Sequence, residues 1–171
     1  PMSDKYGRRK LLLTSAIIFF IGAMGSAFSP EYVSLVSFRV VLGIAVGGAS
    51  SLIPTYLAEL APTDKRGGIG SLFQLMVMTG ILFAYIGNEW LSPDGLFNLA
   101  ESIGWRWMLG LAAVPAALLF IGGLFLPESP RFLVKRGDEA EALNVLNQFS
   151  DNEKLAKEEL EDIKVQAAIP S

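Results

Sequence analysis

The chain has 171 residues, 51% of them hydrophobic, with a mean hydropathy of +0.43 and a formal charge of −3. It contains no cysteine and no histidine, which excludes disulfides and thiolate metal sites and removes the commonest catalytic base. With no nucleophile elbow and no phosphate loop either, an enzyme is the least expected class, and no cofactor, metal or nucleic-acid partner is expected.

The apolar residues lie between Leu11 and Leu126, and the last 45 residues read as a charged tail. A spanning helix needs roughly 20 mostly apolar residues, and four stretches qualify. The first runs from about Leu11 to Phe28 and is closed by Ser29-Pro30. The basic start before it imitates a secretory signal, but the cleavage site is weak and three further spans follow. The second runs from about Tyr32 to Leu60, long enough to tilt or project beyond the bilayer. The third is about Ile69 to Trp90 and the fourth about Trp105 to Leu126. The fold class is therefore all-α and polytopic. The connection Ser29–Glu31 is so short that the first two helices must form an antiparallel hairpin. Trp90, Trp105 and Trp107 flank the loop between the third and fourth, as interfacial residues do. Pro1, with no initiator methionine, predicts a fragment.

Topology follows from the basic residues. Of 14 Lys and Arg, 12 fall on one side; Arg39 lies within a span and Arg106 near the other face. The positive side is cytoplasmic, so both ends of the segment are expected there, in a multi-pass protein of the plasma membrane. The tail after Leu126 has 10 acidic and 6 basic residues, a poor match for anionic lipid. Ala140, Leu143, Leu146 and Phe149 recur at helical spacing, as do Ala156, Leu160, Ile163 and Ala167. They describe either two solvated helices or two stripes docked beneath the bundle.

Within hydrocarbon an ionisable side chain is a functional candidate by default. Arginine at a bilayer centre costs ~2.5–3.5 kcal/mol on insertion scales, so Arg39 must snorkel outward or meet a carboxylate or a water-filled cavity. Gln74 shares a helix face with Met78 and Ile81. An amide beside apolar contacts suits a sugar, whose hydroxyls lie at the ring edge and whose C–H groups lie on its face. A structural bond between helices, worth roughly 0.6 kcal/mol, is the competing reading. Gly43 and Gly47, and Gly22 and Ser26, are spaced for close helix packing, and Pro54 predicts a kink. Asp4, Arg8, Arg9, Glu59, Arg66, Glu128 and Arg131 gather at helix ends on one side. An exposed pair adds only ~0–1 kcal/mol, but a network of such pairs can serve as a breakable latch.

Four motifs in order resemble the sugar porter family of the major facilitator superfamily: DKYGRRK at 4–10, RVVLG at 39–43, PTYLAELAPTDKRG at 54–67 and PESPRFL at 127–133. The resemblance covers the whole chain and corresponds to helices three to six of an expected twelve. It implies a monosaccharide carrier that works by alternating access, with Gln74 as the sugar-contacting glutamine. It implies Arg39 as partner of a first-helix acid in proton-coupled members. It also makes Arg8, Arg9, Glu59, Arg66, Glu128 and Arg131 a cytoplasmic salt-bridge latch, and the tail the start of an intracellular helical domain. The expected partners are a monosaccharide, possible protons, the lipid bilayer and the remaining helices of the carrier. An organic-ion or polyol carrier, or a structural membrane subunit, are the alternative readings.

Overall fold

A computed structural model describes residues 6–61, 66–97, 99–150 and 152–168, apart from the side chains of Arg66, Glu101 and Ala168. Asp4, Asp64, Lys65 and Asn98 lie outside the described residues. Helices α1 (Arg8–Ala27), α2 (Tyr32–Leu60), α3 (Arg66–Leu91), α4 (Glu101–Leu111) and α5 (Ala113–Phe125) precede those of the tail, α6 (Pro130–Arg136), α7 (Glu139–Phe149) and α8 (Glu153–Ala168). Among the described residues no strand occurs. Among the described residues four stretches are long and apolar enough to cross a membrane, the fourth being Ser102–Phe125.

That fourth stretch departs from the expected single helix. Pro115 has no N–H to donate to Leu111, and its ring opposes that carbonyl. The ladder breaks at Ala112, whose N–H turns back to Leu109 at 3.3 Å, and so α4 and α5 are separate. Pro54, by contrast, stands inside α2, which runs on through it to Leu60.

The hairpin of α1 and α2 closes through small residues. A Cβ at Gly22 would come within 3.0 Å of Leu42, and one at Gly25 would collide with the Phe38 ring. Ser26 is buried because its hydroxyl returns to the Gly22 carbonyl at 2.7 Å, so it adds no polar cost to the contact. On its other side α1 packs against α4 and α5, where Gly123 admits Leu12 and Leu13. Gly43 and Gly47 differ from Gly22: among the described residues nothing lies within 4 Å of a Cβ at either.

The tail is docked, not solvated. Leu133, Val145, Leu146, Leu160 and Ile163 form one buried cluster with Leu12, Tyr56 and Leu60 of α1 and α2. In α7 the buried stripe is Ala142, Val145 and Leu146, while Ala140 and Phe149 are exposed; the helix begins at Glu139 and rotates the expected face by part of a turn. α6 ends in a left-handed glycine, Gly137 (φ 92°), with Asp138 N–H returning to Leu133 at 3.0 Å, a hydrogen bond that satisfies an otherwise orphaned carbonyl.

Candidate functional site

The polar residues concentrate where α1 begins and α2 and α5 end. Arg8 makes a two-pronged contact with Glu59, Nε to Oε2 at 3.0 Å and Nη2 to Oε1 at 3.1 Å. Both side chains are 8% exposed, so this is a buried fork, not the surface pair that helix-end charges suggest. In such a place the fork geometry matters, because removing one partner strands a charge away from water. Ser129 adds a third donor, its hydroxyl bonding Glu59 Oε2. Serine before proline at a helix start ordinarily caps its own helix; Ser129 instead spends its hydroxyl on α2 and is fully buried.

Glu128 points at backbone rather than at an arginine head group. Its Oε1 accepts the N–H groups of Arg8 (2.9 Å), Arg9 (3.1 Å) and Ser129 (3.0 Å). Arg9 in turn reaches α5, Nε to the Gly123 carbonyl at 3.2 Å and Nη2 to that of Leu124 at 2.6 Å. Tyr56, 1% exposed, donates its hydroxyl to the Pro127 carbonyl. Of the seven charges marked in the sequence, Arg8, Arg9, Glu59 and Glu128 are thus brought together. Arg131 is partly exposed and makes no ion pair among the described residues. Asp4 and the Arg66 side chain lie outside the description. Gly7, Tyr56, Ser129 and the Pro127 carbonyl were missed as members. Ser129 and Pro127 sit within PESPR and Gly7 within GRR, yet only the fold shows which groups of these motifs meet.

Gln74, Met78 and Ile81 are exposed on α3. At 100° per residue they share one face, opposite the half-buried Ile69, Phe73 and Gly87. Arg39 is exposed on α2 and makes no ion pair among the described residues; it lies towards the same uncovered side as Gly43 and Gly47. A cleft of about 340 Å³ between α1 and α2 is lined by Arg8, Ser15, Ser51 and Thr55 among others. Gln74, Met78 and Ile81 do not line it.

Residues 1–168 match the family described as sugar (and other) transporter. The chain is similar to a D-xylose transporter of Levilactobacillus brevis, 62% identical over all of this chain and 36% of that protein. It is also similar to the glucose transporter GlcP of Staphylococcus epidermidis, 45% identical over 92% of this chain and 34% of that one. Among solved structures, the proton:xylose symporter XylE bound to 6-bromo-6-deoxy-D-glucose superposes with a TM-score of 0.87 at 32% identity, over 96% of this chain and 38% of that one. The chain therefore spans about a third of the length of the relatives it matches.

Proposed function

Because this chain belongs to the family of sugar (and other) transporters, we propose that it supplies helices three to six of a cell-membrane monosaccharide carrier, with D-xylose the first candidate substrate. The observation that carries this is the 62% identity to a D-xylose transporter along the entire chain. The one-sided distribution of Lys and Arg supports a cytoplasmic position for both ends of the segment. The uncovered face of Gln74, Met78 and Ile81 is available to line a substrate cavity, the amide bonding hydroxyls and the two apolar side chains covering the ring.

Arg39 supports proton coupling. Of the acidic residues within the spans, Glu59 is twenty residues along the helix, ~30 Å away, and Glu89, near the end of α3, makes no ion pair with Arg39 among the described residues. A counter-charge would come from a first helix, and its protonation would release Arg39 as sugar moves. In the cytoplasmic set, Arg8, Arg9, Glu59 and Glu128 join the ends of α1, α2 and α5 into one body. Arg131, partly exposed and without an ion pair among the described residues, is the part of the latch that reaches across to whatever moves against that body.

Uptake of labelled D-xylose by cells expressing the full-length protein tests the proposal. Saturable uptake that collapses with the proton gradient is expected. Uptake that ignores the gradient sinks the symport element, and glucose uptake without D-xylose uptake sinks the substrate assignment. Arg131→Ala is expected to shift the inward/outward balance with little loss of expression; unaltered accessibility would remove Arg131 from the latch.

A further inference from the structure

The first N–H groups of a helix have no partner within it, and a side chain just before the helix usually supplies one. α1 has none locally, since its N-cap residue is Gly7. The acceptor comes from 120 residues away: Glu128 Oε1 takes the Arg8 and Arg9 N–H groups at 2.9 and 3.1 Å. The last carbonyls of α5 are orphaned in the same way, and Arg9 of α1 reaches two of them, Gly123 and Leu124. The connection that follows α5 thus closes the start of α1, and α1 closes the end of α5. Gly7 fits the arrangement twice. Its φ of 90° favours glycine, and a Cβ there would stand 2.6 Å from Glu128 Oε2.

We propose that Glu128 and Arg9 form a reciprocal helix cap, in which Glu128 works as a hydrogen-bond acceptor rather than as the counter-ion of an arginine. Glu128 is then a positioning residue for Arg8: it holds the Arg8 backbone, and so aims the guanidinium at Glu59. The glycine of the GRR motif suits this position because its backbone is left-handed and because a Cβ would crowd the Glu128 carboxylate and the Phe132 ring. This assignment is independent of the substrate and of proton coupling.

Amide hydrogen exchange of the first turn of α1, followed by mass spectrometry on the full-length protein, tests it. Glu128→Ala is expected to speed exchange at Arg8 and Arg9 by about fivefold or more, the size of a lost helix cap. Glu128→Gln keeps a carbonyl acceptor without the charge and should stay much closer to wild type. Gly7→Ala should behave like Glu128→Ala. Equally fast exchange in Glu128→Gln and Glu128→Ala would overturn the proposal in favour of a charge-dependent contact. Wild-type exchange in Glu128→Ala would overturn it outright. Should Glu128→Ala fail to accumulate, Glu128→Gln decides alone: near-native protection supports the cap, and lost protection refutes it.

Discussion

α1 and α3 are equally at home in hydrocarbon by composition, with mean hydropathies of 1.7 and 1.8, yet 33% of the most apolar 18 residues of the first are buried within this chain and 0% of those of the second. The difference lies in small residues and chain ends. α1 has Gly22 and Gly25 against α2, receives Gly123 of α5, and is fastened at its start by Glu59 and Glu128. α3 has five glycines against two in α1, yet nothing lies within 4 Å of a Cβ at Gly67, Gly68, Gly70 or Gly80, and Gly87 alone of the five approaches a neighbour, Leu111 of α4. Hydropathy reports what a bilayer accepts. Without a hydrophobic drive between helices in lipid, close packing and polar contacts decide which helix becomes the hub. In this chain α1 is the hub and α3 is a surface.

The contrast is most easily broken at the buried fork. Glu59→Ala removes the carboxylate that both prongs of Arg8 and the Ser129 hydroxyl bond, so a loss of about 3–5 kcal/mol is expected. An Arg8→Met/Glu59→Leu double variant should lose less than the sum of its single changes. Thermal unfolding of the full-length protein measures both, and a cost for Glu59→Ala below that of a surface pair would show that α1 is not fastened there.

Gly25→Ala should cost about 1–3 kcal/mol in the same assay, because the new methyl collides with the Phe38 ring in a packed interface. A neutral outcome would mean that the hairpin spreads at little cost and that α1 owes its burial to its ends alone.

On α3 the expected effect moves from stability to binding. Gln74→Ala should weaken sugar affinity by an amount equivalent to ~1–3 kcal/mol, a hydrogen bond lost with one partner left unpaired, while the melting temperature holds. A lowered melting temperature with unchanged affinity would make Gln74 a structural residue and α3 a second packed helix.

The smallest effect belongs to the tail. Lys164 contacts Glu139 at 2.6 Å, and this hydrogen bond raises its pKa above the ordinary lysine value. A group raised on folding contributes fully below its unfolded pKa and loses that contribution as pH rises through the folded one. The α7–α8 contact should therefore be constant at neutral pH and loosen only in the alkaline range, above about 10.4. Melting curves from neutral to alkaline pH should show this extra loss in the wild type and not in Lys164→Met.

Much was legible along the chain because it is local chemistry. Four apolar stretches, the short Ser29–Glu31 turn and the clustering of GRR and PESPR at one end all follow from spacing and charge. The break at Ala112 was not legible: the apolar run from Trp105 to Leu126 reads as one helix, and a proline within such a run need not end it, since Pro54 stands inside α2. The α7 stripe was misplaced by part of a turn because Ala140 and Ala142 are equally apolar, and only the docked position of the helix distinguishes them.

The site divides in the same way. That Arg8, Arg9, Glu59 and Glu128 would meet could be read from their shared end of the bundle. Which atoms would meet could not. A carboxylate satisfies a guanidinium or a backbone N–H equally well, and the choice depends on where a helix end 120 residues away comes to rest. The sequence by itself determined the apolar stretches and the end where charge collects, because hydropathy and charge position act within a few residues. Only the tertiary structure decided that Glu128 faces the start of α1, that Arg9 faces the end of α5 and that Glu59 is buried, because those contacts exist only once distant helix ends are packed together and water is excluded from between them.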